Sequence, residues 1–140
     1  MPQRKNRAAR RASKATSSGR TADDDGLFRT IADYTYDWES WHSPEGPLIW
    51  VNRAVERMTG RSVAECATMK DYPLPMVVVK DRECIAKVLD EARSRTSGEN
   101  VEFGCLHRSG EVRWMSLSWQ PMFDARDEYL GFRTSIRDVT

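Results

Sequence analysis

The chain has 140 residues, 39% of them hydrophobic and 31% charged, with a formal net charge of +1. This is the composition of one globular domain able to bury a core. No run approaches the roughly 18 uninterrupted apolar residues of a membrane-spanning helix, and no apolar signal segment opens the chain, so a cytoplasmic location is expected. The three cysteines, Cys66, Cys84 and Cys105, are odd in number and widely spaced without a C-x-x-C pair, so neither a disulfide framework nor a zinc site is suggested and each reads as a small buried hydrophobe.

The small net charge conceals a split. Residues 1–22 carry Arg4, Lys5, Arg7, Arg10, Arg11, Lys14 and Arg20 with no acid, so the rest holds 15 bases against 21 acids. Without large apolar side chains after Met1, this basic tail cannot offset the entropy of folding and is expected to be disordered. Its charge suits nucleic acid, an anionic membrane or an acidic partner, and its composition also resembles a targeting segment or a solvated solubility tail.

From residue 23 the elements follow in order. Asp23, Asp24 and Asp25 suit a helix start, and Leu27, Ile31 and Tyr34 follow at helical spacing. "YTYDWESWH" and "PLIWVN" are aromatic-rich extended runs joined by Ser43-Pro44-Glu45-Gly46, which predicts a hairpin. "RAVERMTG" predicts a short helix ended by Gly60, "SVAECA" a second, and the prolines of "YPLP" interrupt helix. Asp81 is placed to cap a longer helix whose Ile85, Val88, Leu89 and Ala92 form one apolar stripe. Three strands close the chain, near 100–108, 111–121 and 128–138. In the last, Leu130, Phe132, Thr134 and Ile136 alternate with Tyr129, Arg133, Ser135 and Arg137. A hairpin alone is marginal, so it and the terminal meander are expected to share one five-stranded antiparallel sheet, with the intervening helices over one face: an α+β domain over residues 23–140.

The stretches "GPLIWVNRAVERMTG", "DYPLP", "SGEVRWMSLSWQPMFD" and "LGFRTSIRDVT", in this order, resemble the PAS sensory modules found ahead of bacterial histidine kinases and diguanylate cyclases. The resemblance covers roughly residues 24–140 and ends on Asp138-Val139-Thr140, an Asp-x-Thr motif. Three positions depart from the pattern. "VVVKDR" keeps Asp81 but not the His-Pro that often precedes it, Gly104 stands where many relatives have arginine, and Asp127 replaces the glycine of an Asp-x-x-Gly turn, where a left-handed backbone suits glycine better.

The resemblance implies a PAS fold whose N-terminal helix caps the outer sheet face and whose inner face lines a pocket. With the alternation, it places Phe103, Cys105, Met115, Leu117, Trp119, Phe132, Thr134 and Ile136 inward, with Trp38 and Trp50 from the first hairpin. It implies no bound haem, because the axial histidine of haem-binding relatives is expected on the long helix, whereas the histidines here are His42 and His107. It implies no flavin either. "ECATMKDY" around Cys66 does not match the Asn-Cys-Arg-Phe-Leu-Gln motif, and Cys105, Met115 and Ile136 occupy positions where a flavin edge needs polar partners. The expectation is a small apolar pocket, or one filled by its own side chains. Cys105, among apolar neighbours, is expected to be inert.

Trp114 points away from Met115, Leu117 and Trp119, and so marks an outer docking surface. With Leu27, Phe28 and Ile31 of the first helix, and with Asp138 and Thr140, it forms the expected pairing and relay set. No catalytic triad, phosphate loop or metal-ligand cluster is present, which argues against an enzyme. The reading is a non-catalytic sensory and dimerisation module that passes a pocket or pairing change to a C-terminal or separate effector. The alternative is a nucleic-acid-binding protein whose basic tail is the contact and whose PAS body dimerises; salt-sensitive binding lost on removal of residues 1–22 would mark it.

Overall fold

A computed structural model describes residues 22–140, with side chains from Gly26 onward. The expected basic tail therefore lies, but for Ala22, outside the described residues. The chain divides into two units after Ala32. The first contributes most of helix α1, Ala22–Asp33, on which Leu27, Phe28 and Ile31 are exposed.

The second unit, Asp33–Thr140, holds the sheet. Its strands are β1 (Trp38–His42), β2 (Leu48–Val51), β3 (Gly98–Leu106), β4 (Val112–Phe123) and β5 (Tyr129–Asp138). All neighbours are antiparallel, in the order β2-β1-β5-β4-β3. Between β2 and β3 come α2 (Ala54–Thr59), α3 (Val63–Ala67) and α4 (Arg82–Arg93). Local chemistry sets these boundaries. Gly60, at φ +76°, ends α2 with its N–H on the Glu56 carbonyl. Ser62 and Glu65 form a reciprocal capping box at the start of α3. Ser43 accepts from Gly46 N–H at 2.9 Å to close the β1–β2 turn.

Asn52, fully buried, joins the hairpin to the helices. Its Oδ1 accepts from Glu39 N–H and its Nδ2 donates to the Asp37 carbonyl, each at 2.9 Å. These bonds satisfy backbone groups where the chain enters β1, groups that would otherwise be buried without partners. On α4, Ile85, Val88 and Ala92 are buried, and Leu89 is partly buried against the same core.

Four expectations need correction. Asp81 makes no side-chain cap on α4; its Oδ2 accepts the Gly104 N–H at 2.8 Å, tying the segment before the helix to β3. Leu130 is 37% exposed, because Gly131 follows it at φ +104° and breaks the alternation, which resumes inward only at Phe132. A Cβ on Gly131 would lie 2.0 Å from the His42 carbonyl oxygen, so the two strands meet there only without a side chain. Trp50 does not face inward: it pairs directly with Trp41, whereas Ser40, Val51 and the rest of the inward set lie on the other face. Cys84 is exposed on α4.

Candidate functional site

Inner-face side chains follow the register. Trp38 stands opposite Ile136, which stands opposite Leu117, and Met115 stands opposite Phe103. All five, with Cys105, are at most 2% exposed and pack into one core with Met76 and Ile85. Each large apolar side chain so buried contributes about 1.5–3 kcal/mol. Burial pushes the Cys105 thiol up to about 12 and that of Cys66 to about 11, far from the thiolate needed for redox chemistry. This end of the inner face is occupied by its own side chains.

The other end is built differently. Ser40 stands opposite Thr134 and His42 opposite Phe132, so β1 turns polar as it approaches the hairpin. The segment after α3 brings Tyr72 beneath them. Its hydroxyl accepts from Trp38 Nε1 at 2.8 Å and shares a 2.7 Å hydrogen bond with Ser40 Oγ. Burial pushes the phenol pKa up, so the hydroxyl stays protonated. His42 stacks on Phe132, centroids 4.6 Å apart and rings 7° from parallel, and donates from Nδ1 to the Gly46 carbonyl at 2.8 Å. Desolvation lowers its pKa and keeps the imidazole neutral at pH 7.

Beside these rings a cleft of about 540 Å³ opens between the hairpin, α4 and the segment 67–74. Leu48, Met69, Leu74 and Leu89 complete its apolar wall, and Lys70, Asp71, Asp90 and Arg93 stand at its rim. Asp71 is at φ +60°, a conformation that costs a non-glycine residue energy. Of the ten inward residues expected from sequence, Phe132 lines this cleft. Trp119 and Thr134 stand opposite each other, buried but outside the cleft lining, with Trp119 donating Nε1 to Thr96 Oγ1 at 3.2 Å. His42 was legible by the two-residue period it shares with Trp38 and Ser40 and Leu89 by the apolar stripe of α4, whereas nothing local marks Tyr72 or Met69.

On the outer face Trp114 is 43% exposed, with Lys80 Nζ 5.3 Å from its ring centroid. Gly104 is its cross-strand neighbour, and a Cβ there would lie 3.0 Å from Val78 Cγ2. The departure to glycine thus makes room for the segment before α4 against β3. The end of the chain binds the same tryptophan: Val139 N–H donates to the Trp114 carbonyl at 2.8 Å, and Trp114 N–H donates to Thr140 Oγ1 at 2.9 Å. Thr140 also donates its N–H to Asp138 Oδ1 at 2.8 Å. Hydrogen bonding from Thr140, its side chain first, holds the Asp138 carboxyl below its ordinary range. Trp114, Asp138 and Thr140 are therefore brought together. Among the described residues no three of His, Cys, Asp and Glu could hold a metal, and no helix is long and apolar enough to cross a membrane.

A 2-1-5-4-3 antiparallel sheet with its helices inserted between the second and third strands defines a class of α+β fold. The PAS domain profile matches residues 42–140, and the chain belongs to the PAS family. No curated protein sequence matches it. Among solved structures it is similar to the PAS domain of a protein from Colwellia psychrerythraea, at 22% identity and TM-score 0.65, covering 82% of this chain and 96% of that one. The N-terminal domain of a diguanylate cyclase with PAS/PAC sensor from Marinobacter aquaeolei matches at 13% identity and TM-score 0.62, covering 74% and 94%. A PAS domain from a two-component sensor histidine kinase matches at 16% and 0.62, covering 82% and 96%.

Proposed function

We propose that this PAS domain is a non-catalytic, cytoplasmic sensory module that pairs with a second copy and passes a change in its cleft or its pairing to an effector. The observation that supports this reading is the double use of β4. One face of the strand carries Met115 and Leu117 into the core; the other carries Trp114, to which Val139 and Thr140 are hydrogen-bonded. A shift of the sheet would reach the C-terminal end through those bonds. Haem and flavin have no part in this reading. α4, "RECIAKVLDEAR", carries no histidine, and the inner face offers Cys105, Met115 and Ile136 where a flavin edge needs polar partners.

Pairing would draw on two exposed apolar surfaces, the outer sheet face at Trp114 and, separately, α1. A half-exposed indole and exposed Leu27, Phe28 and Ile31 are surfaces whose burial between copies is favourable. Light scattering tests this on wild type, Trp114→Ala and Ile31→Glu. A concentration-dependent dimer weakened at least tenfold by either change is expected. A monomeric wild type at high concentration would remove pairing from the reading, and a dimer indifferent to both changes would move the interface elsewhere.

A further inference from the structure

The cleft beneath the β1–β2 hairpin has the chemistry of a ligand site. A carbonyl oxygen can only accept, so the 2.8 Å contact from His42 Nδ1 to Gly46 fixes the ring's proton on Nδ1. The neutral ring then holds an unshared pair on Nε2. Among the described residues none donates to that nitrogen. His42 is 2% exposed and lines the cleft, and among the described residues the buried side-chain N and O atoms without partners are Arg61 Nε and Tyr129 Oη, not His42 Nε2.

The rest of the wall narrows what can meet that acceptor. Tyr72 spends its hydroxyl on Trp38 and Ser40, so it offers the cleft its ring and no free polar group. Leu48, Met69 and Leu89 are apolar. At the rim, Arg93 is turned to Asp90 at 2.6 Å and to the Glu45 carbonyl at 3.3 Å. That leaves Lys70 against Asp71 and Glu45, with no surplus of positive charge for an anion. A wall that mixes apolar and aromatic side chains with a few polar groups is the usual composition of a small-molecule site, and about 540 Å³ is within the size range of such sites.

We propose that this cleft binds a small uncharged molecule of one or two fused rings, which donates one N–H or O–H hydrogen bond to His42 Nε2 and packs its ring against Leu48, Met69 and Leu89. The site lies toward the hairpin, away from the filled Trp38–Leu117 end of the inner face. The proposal rests on the sensory reading for its purpose, since it names the class of molecule sensed.

The test is titration of the full chain with indole and 2-naphthol, and with the donor-free isosteres indene and naphthalene, followed by backbone amide and imidazole nitrogen NMR. Indole or 2-naphthol should move the His42, Met69 and Leu89 resonances saturably, with a shift at His42 Nε2. The matching isostere should bind about tenfold more weakly, the worth of one hydrogen bond. Leu89→Trp should abolish the shifts by filling the cleft; Ala86→Met, a smaller change on the same wall, serves if that variant does not fold. Absence of saturable shifts with both donor compounds overturns the proposal, as does equal binding of donor and isostere with an unmoved Nε2 signal. Specific binding that leaves the Trp114, Val139 and Thr140 amides unmoved upholds the site and breaks the relay reading instead.

Discussion

The two ends of the inner sheet face differ in what fills them. Around Trp38, Met115 and Leu117 the wall is apolar and filled by its own side chains. Around His42, Ser40 and Tyr72 it is polar, hydrogen-bonded and bordered by a cleft. The same two-residue period builds both ends, so periodicity selects the face and side-chain chemistry selects what the face does. A filled apolar end stabilises the domain. An end whose polar groups already satisfy one another, with a single acceptor left over, can tolerate a visitor.

Substitutions measure that difference. Leu117→Ala should cost about 3 kcal/mol in urea unfolding, as a fully buried leucine loses both its burial and its packing. Leu48→Ala, at the partly buried cleft wall, should cost about 1 kcal/mol. Equal losses would erase the distinction between the two ends. Tyr72→Phe should cost about 1–3 kcal/mol, because Trp38 Nε1 and Ser40 Oγ would both stay buried without the hydroxyl they share. A neutral result would mean that water replaces that hydroxyl from the cleft.

His42 gives the polar end a pH signature. Its folded pKa lies below the ordinary 6.5, so the unfolded chain takes up the proton first as pH falls. The histidine's contribution is therefore complete above 6.5 and is lost as pH drops toward the lowered folded value. Melting temperature should decline in that window, and His42→Asn, which keeps a donor for the Gly46 carbonyl, should flatten the decline. Glu65 and Asp138, whose pKa values are also lowered, act in the more acidic carboxylate range and leave this window to His42. The smallest effect lies away from both ends. Asp127 sits at φ +62° in the β4–β5 turn, and Asp127→Gly should gain about 0.5 kcal/mol in the same urea assay. A loss would show that the aspartate side chain compensates its own backbone.

Much of this was legible in residues. Short-range signals marked α2 by Gly60, the hairpin by Pro44 and Gly46, and the stripe of α4 by Ile85, Val88 and Ala92. Where local reading failed, a partner distant in sequence had decided. Trp50 was misplaced because hairpin register, set by the irregularity between Trp41 and His42, determines its face. Leu130 was misplaced because Gly131 passes against the His42 carbonyl. Asp81 bonds Gly104, 23 positions away, rather than the helix it precedes.

Alternation and turn chemistry in the sequence were enough to establish a five-stranded α+β domain, its family resemblance and the inward direction of Phe103, Met115, Leu117 and Ile136, because these depend on neighbours two to four residues apart. The cleft, the proton on His42 Nδ1 and the Lys80 ammonium above Trp114 were decided only by tertiary structure. Each needs groups from separate elements held within a few ångströms: β1, α4 and the segment 67–74 for the cleft, and the turn before α4 against β4 for the tryptophan. No local pattern encodes such a meeting, since it comes from the packing of the whole sheet against its helices.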